Sequence, residues 1–363
     1  MGDTMGRRAS MLAIATVTLV VGLSTLTGLR TDQLQIEWGE PETINVSRSA
    51  DVISVKSVVA NGTEYLFAML SLYSDNDAYY GSSKIVYLQR LADGWSAPTV
   101  LELDRSVGGE FDVLYDEPNS EFLLFFRNYG YSPSSTGLYL ARGPLGDLGP
   151  SQPVVVQQVG AHVPYPSDMS AVLGDDGTID LFYRSITEST ENLNRIYHTT
   201  FNGSTWSEPE NLGWGNSPCA IRGRDGKLQL YSNLWTYTDE VQYCVDEWSV
   251  RDGTWAHEAL TTSARDSNVE PFVLEDGSGD RFLVYNHEEN EVGAMTDLLL
   301  QIRPHGGAWG RYVKIVTDLP GAHVSPWVYH YGIESPCATI HDGVLNVYYV
   351  HLGVLCTLPG SIE

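Results

Sequence analysis

Acidic residues mark the points along this chain where chemistry could take place. Asp51, Asp168, Glu270 and Glu334 each stand at or just before the start of a short stretch that favours β-strand. Two carboxyl groups that face each other across a sugar can break a glycosidic bond, one as proton donor and the other as nucleophile or as base for water. Burial beside other carboxylates raises the pKa of one of them, as a proton donor requires. These four residues are therefore the candidate catalytic acids.

Arginine, histidine and tryptophan side chains at neighbouring positions supply candidate contacts to a ligand. Ligand sites are concave and hold a few convergent polar groups among larger apolar ones. The candidate binding residues are Arg127, Arg184, His162, His323, Trp235, His287 and His351. Two of these histidines lie in identical tetrapeptides, Gly-Ala-His-Val, at 160–163 and 321–324.

The elements that must position these residues repeat along the chain. A turn that contains glycine, followed by a tryptophan and a strand, recurs at Trp95, Trp206, Trp255 and Trp309. Trp206 and Trp255 are 49 residues apart, and Trp255 and Trp309 are 54 apart. Between them, short apolar stretches alternate with turn residues, which predicts four strands per unit. A repeat of this length with four strands is typical of the blades of a β-propeller.

Six such units follow one another from about residue 51 to the end of the sequence. The sixth unit ends without a fourth strand, whereas an unattached strand, within Gln35–Ile44, precedes the first unit. The sequence therefore predicts an all-β fold, a six-bladed β-propeller of four-stranded antiparallel blades over residues 31–363. In this prediction the N-terminal strand completes the last blade, which leaves no unpaired edge in the ring.

The ring predicts which of the candidate residues meet. The third and sixth of six blades are opposite, so we expect His162 and His323 to face each other across the mouth, near Asp168 and Glu334. Two alternatives stay open at this point. Duplication of a packing loop also explains the shared tetrapeptide, and polar residues begin the inner strands of any propeller because its axis is solvated.

The first 30 residues form a separate region. Met11–Leu29 is apolar apart from serine, threonine and glycine, and Arg7 and Arg8 precede it. A helix of this length reaches ~28 Å, which is close to the thickness of a bilayer core. It is either a membrane anchor with the body outside the cell or a cleaved signal peptide. Both alternatives predict an extracellular protein, anchored to the cell surface or secreted.

The charge of the chain limits its partners. Asp and Glu number 46 and Lys and Arg number 21, which gives a formal net charge of −25. Such a surface repels phosphate backbones, so nucleic acid is not an expected partner. Only four of the basic residues are lysines, at positions 56, 84, 227 and 314. An acidic, lysine-poor composition is also typical of proteins from high-salt environments.

The cysteines do not predict a metal site. The four cysteines form no C-x-x-C pair, and there is no dense Asp-x-Asp-x-Asp series, so no cofactor is expected, although structural calcium stays an open alternative. Cys219 and Cys337 lie in matching Ser-Pro-Cys-Ala tetrapeptides. We expect both to be small buried residues at equivalent strand positions.

Several turns resemble those of a known propeller family. Thr200-Phe201-Asn202-Gly203-Ser204-Thr205-Trp206 is similar to the Asp-box, or BNR repeat, although it is one residue short and has Asn in place of Asp. Asp252-Gly253-Thr254-Trp255 keeps the second half of that box. Residues 34–363 thus resemble the sialidase-like superfamily. The resemblance implies a propeller whose boxes are structural turns, and sialidases use an Arg triad, a Tyr/Glu pair and an Asp acid/base. Arg127 and Arg184 end the second strands of their blades, from which they could reach the axis. The sequence offers no third arginine for the triad, and the Arg-Ile-Pro motif of that family is missing from the first blade.

A second, fainter resemblance involves the starts of two inner strands. Val269-Glu270-Pro271-Phe272 and Glu334-Ser335-Pro336-Cys337 are similar to the inner strands of furanosidase-type propeller glycosidases. That resemblance implies carboxylates at strand starts that face a central pocket, although those enzymes usually have five blades.

The sequence as a whole favours an exported propeller that binds or hydrolyses carbohydrate, with a glycan or glycoconjugate as its partner. An uncleaved N-terminal segment would add a membrane contact. The alternative is a non-catalytic surface propeller that serves as an adhesion or protein-interaction scaffold. Paired carboxylates at the axial mouth favour the first function, and a mouth filled by apolar side chains favours the second.

Overall fold

The protein is described by a computed structural model over most of its length. The described residues are 34–47, 50–71, 83–108, 110–128, 137–156, 165–186, 194–237, 241–261, 267–288, 295–320, 322–325, 328–330 and 334–362. Over these residues the chain is all-β, with 28 strands. The predicted hydrophobic helix, Met11–Leu29, lies outside them. In the described part, no helix has the length and apolar character needed to cross a membrane.

Six antiparallel sheets form the blades of a propeller, as the repeats predict. We number the blades 1 to 6 along the chain. Two short strands come first, β1 (Ile36–Trp38) and β2 (Glu42–Ile44). Blade 1 contains β3 (Asp51–Ala60), β4 (Thr63–Ser71), β5 (Lys84–Leu91), β6 (Gly94–Trp95) and β7 (Thr99–Val100). Blade 2 contains β8 (Phe111–Asp116), β9 (Glu121–Asn128), β10 (Gly137–Gly143) and β11 (Gln152–Val156).

The next three blades have four strands each. Blade 3 contains β12 (Tyr165–Leu173), β13 (Ile179–Ile186), β14 (Asn194–Phe201) and β15 (Glu210–Trp214). Blade 4 contains β16 (Asn216–Arg222), β17 (Leu228–Tyr237), β18 (Val241–Arg251) and β19 (Thr254–Ala259). Blade 5 contains β20 (Ser267–Glu275), β21 (Arg281–Glu288), β22 (Met295–Arg303) and β23 (Val313–Pro320).

Blade 6 combines the two ends of the described chain. A small hairpin of β24 (Ala322–Ser325) and β25 (Val328–His330) precedes it. Its own strands are β26 (Glu334–His341), β27 (Val344–His351) and β28 (Val354–Ile362). The early strands β1 and β2 both pair antiparallel with β28, with Ile36 opposite Ile362 and Thr43 opposite Cys356. Blade 6 therefore takes its outer strands from the N-terminal side of the chain.

The first strand of each blade is its inner strand, and the six inner strands form a ring. β3 contacts β8, β8 contacts β12, and the series continues through β16 and β20 to β26, which contacts β3 again. Buried apolar residues form six clusters, and each cluster joins two neighbouring blades. The core therefore lies in the seams between blades, because each sheet buries both faces against its neighbours.

The recurring tryptophans lie in these seams. Four of them pack nearly edge-on against an aromatic ring of the preceding blade, at interplanar angles of 76 to 89°. The pairs are Trp95–Tyr348, Trp206–Phe125, Trp255–Phe182 and Trp309–Tyr231. This confirms that the repeated tryptophan is a structural residue that joins adjacent sheets.

The turn before Trp206 has the local geometry that its sequence predicts. The Asn202 side-chain oxygen accepts hydrogen bonds from the backbone N–H groups of Ser204 and Thr205, both at 3.0 Å. Gly203 has a φ of 91°, in the region that favours glycine. An Asx turn of this kind replaces backbone partners that a tight connection cannot supply.

Most inner strands carry an irregularity close to their first residues. The pairing shifts by one residue or more within β3, β12, β16, β20 and β26. At four of these points a non-glycine residue has a positive φ: Asp168 at 24°, Ser217 at 46°, Glu270 at 52° and Ser335 at 49°. Backbone held in this region costs roughly 1–3 kcal/mol and is concentrated at ligand and active sites. The irregularities therefore indicate a candidate ligand or active site at the axis of the ring.

Candidate active site

A cavity of about 380 Å³ lies where the inner strands begin, and all six blades line it. One residue at a matching position in each blade contributes, and we call this set the axial ring. Its members are Ser54, Glu110, Asp168, Ser217, Glu270 and Ser335. The cavity volume lies within the range of small-molecule sites. Three of the six positions carry carboxylic acids, in blades 2, 3 and 5.

The matching of positions follows from contacts between neighbouring inner strands. Two residues after the ring position, a side chain of one blade accepts a hydrogen bond from the backbone of the next blade. Asp112 accepts from the Ala171 N–H at 2.7 Å, Ser170 from Ala220 at 2.9 Å and Cys219 from Val273 at 3.3 Å. The three contacts are equivalent. The ring residues two positions before these acceptors, Glu110, Asp168 and Ser217, are therefore equivalent as well.

Asp168 is fixed by an arginine of its own blade. Asp168 Oδ2 lies 2.9 Å from Arg184 Nε, and both side chains are mostly withdrawn from solvent. Arg184 Nη1 lies 3.4 Å from Oδ1 of Asn216, at the start of the inner strand of blade 4. The guanidinium therefore connects two blades at the edge of the cavity, and its planar fork suits a bridging role of this kind.

Glu270 is fixed by two N–H donors. Its Oε2 accepts a hydrogen bond from Nδ2 of Asn286 at 3.0 Å and one from the backbone N–H of Ser335 at 2.7 Å. Asn286 is fully buried in blade 5, and Ser335 is the ring residue of blade 6. The two hydrogen bonds fix the Glu270 carboxyl group between blades 5 and 6.

Glu110 is held differently. Within the described part of the chain, no donor reaches its carboxyl group, and four charged side chains surround it. Burial and, after it, the negative charge of Asp168 raise the pKa of Glu110 to about 7, against the opposing charges of Arg184, Lys56 and Arg127. A carboxylic acid with a pKa close to neutrality is a candidate proton donor.

Lys56 lies deeper in the ring, two residues beyond Ser54, and also lines the cavity. Its Nζ is 3.9 Å from Asp112 Oδ1. Burial lowers the pKa of Lys56, but the negative charges of Asp112 and Glu110 contribute to a larger opposite effect, so its pKa is raised. Burial likewise raises the pKa of Asp112, against the charge of Lys56 and two backbone hydrogen bonds. Lys56 therefore places a positive charge on the cavity wall.

The cysteines are free thiols, and two of them lie next to Lys56 in the same layer. Cys219 is 8% exposed and Cys337 is fully buried, which confirms the prediction of small buried residues at equivalent strand positions. Burial raises the pKa of Cys219 to about 11 and that of Cys337 to about 12. Thiols with such pKa values are poor nucleophiles at neutral pH.

Two of the four candidate acids line the cavity, together with one of the candidate arginines. These are Asp168, Glu270 and Arg184. Asp51 is exposed and lies against Gly353 in the turn between β27 and β28, while Ser54 lines the cavity for blade 1. The shift in pairing between Val52 and Ser54 explains the difference, because it moves the axial position along the strand. Glu334 is one residue before Ser335, and its catalytic role stays a prediction.

The other candidate binding residues are dispersed. Arg127 is 8% exposed, and its backbone N–H donates to the Glu110 carbonyl at 3.3 Å. His287 Nδ1 lies 3.0 Å from Asn268 Oδ1. Neither His287 nor His351, at the end of β27, is among the residues that line the cavity.

Three further binding residues stay predictions. Trp235 belongs to β17 and is opposite Tyr243, and His323 belongs to β24 and is opposite Tyr329. His162 lies outside the described residues. The expected opposition of the two histidine loops is therefore untested.

Glu110 is the functional candidate that the sequence did not identify. It directly precedes the first residue of β8. A signal was present, because Glu110-Phe111 and Asp168-Met169 share an acid followed by a large apolar residue. Among the described residues, no group of three or more His, Cys, Asp or Glu side chains is placed to hold a metal ion.

The fold is shared with known structures, although no family model and no curated protein matches the chain. A protein of unknown function from Dyadobacter fermentans is similar with a TM-score of 0.66 and 13% identity, over 90% of this chain and 99% of that one. A GH93 α-L-arabinofuranosidase of Fusarium graminearum, in complex with arabinobiose, has a TM-score of 0.58 and 12% identity, over 88% and 97%. A Penicillium chrysogenum α-L-arabinanase, also with arabinobiose, has a TM-score of 0.56 and 12% identity, over 89% and 98%. The chain is a six-bladed β-propeller. At these identities the likeness establishes the fold alone.

Proposed function

We propose that this protein is a carbohydrate-active propeller, a glycoside hydrolase whose reaction takes place in the axial cavity. The observation that carries the proposal is the pairing of unlike carboxyl groups around one ring. Glu110 has a raised pKa and no hydrogen-bond donor among the described residues, whereas Glu270 accepts two N–H groups. Two carboxyl groups in such different surroundings suit the two different roles that hydrolysis of a glycosidic bond requires.

The ring places these two residues on opposite sides. Glu110 belongs to blade 2 and Glu270 to blade 5, three positions apart in a ring of six. A sugar between them would present its glycosidic oxygen to one carboxyl group and its anomeric carbon to the other. Two solved propellers with this fold were crystallised with arabinobiose, which supports a saccharide as the ligand class.

The proposed chemistry gives each carboxyl group one role. Glu110 donates its proton to the glycosidic oxygen, the bond from that oxygen to the anomeric carbon breaks, and the leaving sugar keeps the bonding electrons and the proton. Glu270 either attacks the anomeric carbon or takes a proton from the water that attacks it. The separation of the carboxyl groups selects between these courses, about 5–5.5 Å for retention and about 6.5–9.5 Å for inversion.

Substitution of the two carboxylic acids tests the proposal. Purified protein is assayed on a panel of neutral and charged oligosaccharides, and turnover is compared with that of Glu110→Gln and Glu270→Gln. We expect each variant to lose ~10²–10⁴-fold in kcat, the usual contribution of a positioned acid or base. Glu121→Gln, a partly exposed acid elsewhere in blade 2, is the matched control and keeps its activity. Melting temperatures verify that all three variants are folded.

Three results would contradict the proposal. Unchanged turnover in both cavity variants would place the chemistry elsewhere. Binding of an oligosaccharide without turnover by the wild-type protein would favour a carbohydrate-binding propeller, and absence of both would favour the scaffold alternative.

The proposal includes export and a tie to the Asp-box propellers. Arg7 and Arg8 before the apolar run Met11–Leu29 support export, with the segment as anchor or cleaved signal. The net charge of −25 supports a high-salt environment. The turn from Thr200 to Trp206 supports kinship with the sialidase-like superfamily. Fractionation of cells that express the chain with and without residues 1–30 tests export, because only the longer chain should leave the cytoplasm.

A further inference from the structure

One ion pair occupies a strained position in the axial ring. Asp168 has a φ of 24°, at the point where the pairing of β12 with β13 shifts. Its Oδ2 lies 2.9 Å from Nε of Arg184, whose Nη1 reaches Asn216 of the next blade at 3.4 Å. Both partners line the same cavity as Glu110. Arg184 holds Asp168 and itself contacts the next blade, so the charge of Asp168 has a defined place at the cavity wall.

The charges that face Glu110 come from four strands. Asp168 of β12 raises the pKa of Glu110, while Arg184 of β13, Lys56 of β3 and Arg127 of β9 lower it. Asp112, two residues after Glu110, pairs with Lys56 and accepts a hydrogen bond from the backbone of blade 3. Among these groups, Asp168 alone increases the proton affinity of Glu110. The two partners of one ion pair therefore act on Glu110 in opposite directions.

We propose that Asp168 and Arg184 are positioning residues for the acid: Asp168, fixed at the cavity wall, adds to the effect of burial in holding the proton on Glu110, and Arg184 holds Asp168 in place and limits its effect. This inference rests on the proposed function, since Glu110 is the proton donor only if the protein is a glycoside hydrolase. The protonation of Glu110 itself, however, can be measured without any substrate.

A merely structural role makes a different prediction. If the ion pair only joined blades 3 and 4, its loss from either side would lower stability by a similar amount and leave Glu110 unchanged. An electrostatic role requires that Asp168→Asn and Arg184→Gln, which break the same contact, move the titration of Glu110 in opposite directions.

Infrared difference spectroscopy of the full-length protein tests this inference. The C=O stretching band of the protonated Glu110 carboxyl group is assigned by its loss in Glu110→Gln, and its intensity is followed from pH 4 to pH 9. We expect Asp168→Asn to lower the midpoint by roughly one to two pH units and Arg184→Gln to raise it by roughly one. Shifts of both midpoints in one direction, or no shift in either, would overturn the inference.

Two further variants control for loss of structure. Arg184→Lys keeps the positive charge, and we expect its midpoint to stay within about half a unit of wild type. Arg142→Gln breaks an exposed ion pair with Glu121, 2.6 Å long and distant from the axis in blade 2, and should leave the band unchanged. A shifted midpoint in Arg142→Gln would show that the band reports global loosening and would overturn the assignment.

The same experiment separates this inference from the proposed function. Opposite shifts without turnover of any oligosaccharide would support the electrostatic device and reject the hydrolase. Turnover with the alkaline limb of kcat/KM moved down in Asp168→Asn and up in Arg184→Gln would support both. Turnover that depends on Glu110 with unmoved limbs would support the hydrolase and reject the positioning role.

Discussion

Glu110 and Glu247 are both carboxylic acids within the folded propeller, but their surroundings differ. Glu247 is 7% exposed in the seam between blades 4 and 5. Its oxygens accept hydrogen bonds from Gln229 at 2.6 Å, Tyr231 at 3.1 Å, Trp309 at 3.1 Å and Arg303 at 2.9 Å. Glu110, at the axis, has charges around it and no hydrogen-bond donor among the described residues.

The difference separates structural from chemical use of one residue type. A buried carboxylate with a full set of donors and a cation stays ionised and joins the elements around it. A buried carboxyl group without donors holds its proton more tightly, which is unfavourable for folding at high pH but useful for proton donation. The seam therefore serves stability, and the axis carries the candidate chemistry.

The largest expected effect is on turnover at the axis. Glu110→Gln removes the transferable proton and keeps the size and the neutral state, so we expect kcat to fall by about 10³-fold with little change in the free energy of unfolding at pH 6. Kinetics and urea unfolding on the same preparation measure the two quantities. A fall in stability that matches the fall in activity would remove the distinction between axis and seam.

The converse substitution in the seam should affect stability alone. Glu247→Gln leaves the charge of Arg303 buried without its partner, and Arg281, 4.0 Å away, loses a neighbouring negative charge. Breaking a buried ion pair from one side costs about 3–5 kcal/mol. Urea unfolding measures this, while kcat of the folded fraction should stay within about twofold. Glu258→Gln, which breaks an exposed pair with Arg251, is the control and should cost less than about 1 kcal/mol.

The pH dependence of stability tests the surroundings of Glu110 directly. The pKa of Glu110 is about 7 in the folded state against an ordinary value of 4.5, so the folded state binds more protons between these values. Stability from this group is present below pH 4.5 and is lost as the pH rises to about 7, by about 3 kcal/mol in total. Unfolding curves from pH 4 to pH 8 should show this slope in wild type and a smaller one in Glu110→Gln. Equal slopes in both would contradict the raised pKa.

The blades could be predicted from the sequence because their signals are local. Each unit carries its own turn and its own tryptophan, and the structure confirms their place in the seams. Asp168, Glu270 and Arg184 were predicted because they stand at strand starts or ends, which a propeller directs to its axis.

Ser54 and Glu110 were missed for different physical reasons. A bulge adds a residue to one strand, so the alternation of inward and outward side chains shifts at a point that sequence periodicity does not reveal. In blade 1 that shift lies between Val52 and Ser54, and it separates Asp51 from the cavity. The raised proton affinity of Glu110 depends in part on Asp168, a residue 58 positions away in the sequence, so no local pattern predicts this affinity.

Two seams of the propeller give the finest comparison. The seam between blades 6 and 1 repeats the aromatic arrangement of the seam between blades 4 and 5, with Tyr348 and Trp95 in place of Tyr231 and Trp309. Arginines stack on both tryptophans, Arg90 at 5.1 Å and Arg303 at 4.8 Å from the ring centroid. The carboxylates of the two seams differ in their hydrogen-bond donors. Glu64, 1% exposed, accepts hydrogen bonds from the hydroxyl groups of Tyr348 and Thr339, whereas Glu247 also accepts from Arg303.

Removal of one tyrosine hydroxyl group from each seam sharpens this comparison and has the smallest expected effect. Tyr348→Phe takes from Glu64 one of two hydroxyl donors, so we expect a loss of about 2–3 kcal/mol, the cost of a buried charge left with fewer partners. Tyr231→Phe leaves Glu247 with Arg303, Gln229 and Trp309, so we expect about 1 kcal/mol. Urea unfolding of the two variants measures the difference. Equal losses would mean that Arg303 does not reduce the cost of removing a hydroxyl donor from Glu247. The stability of a seam would then depend on its apolar packing alone.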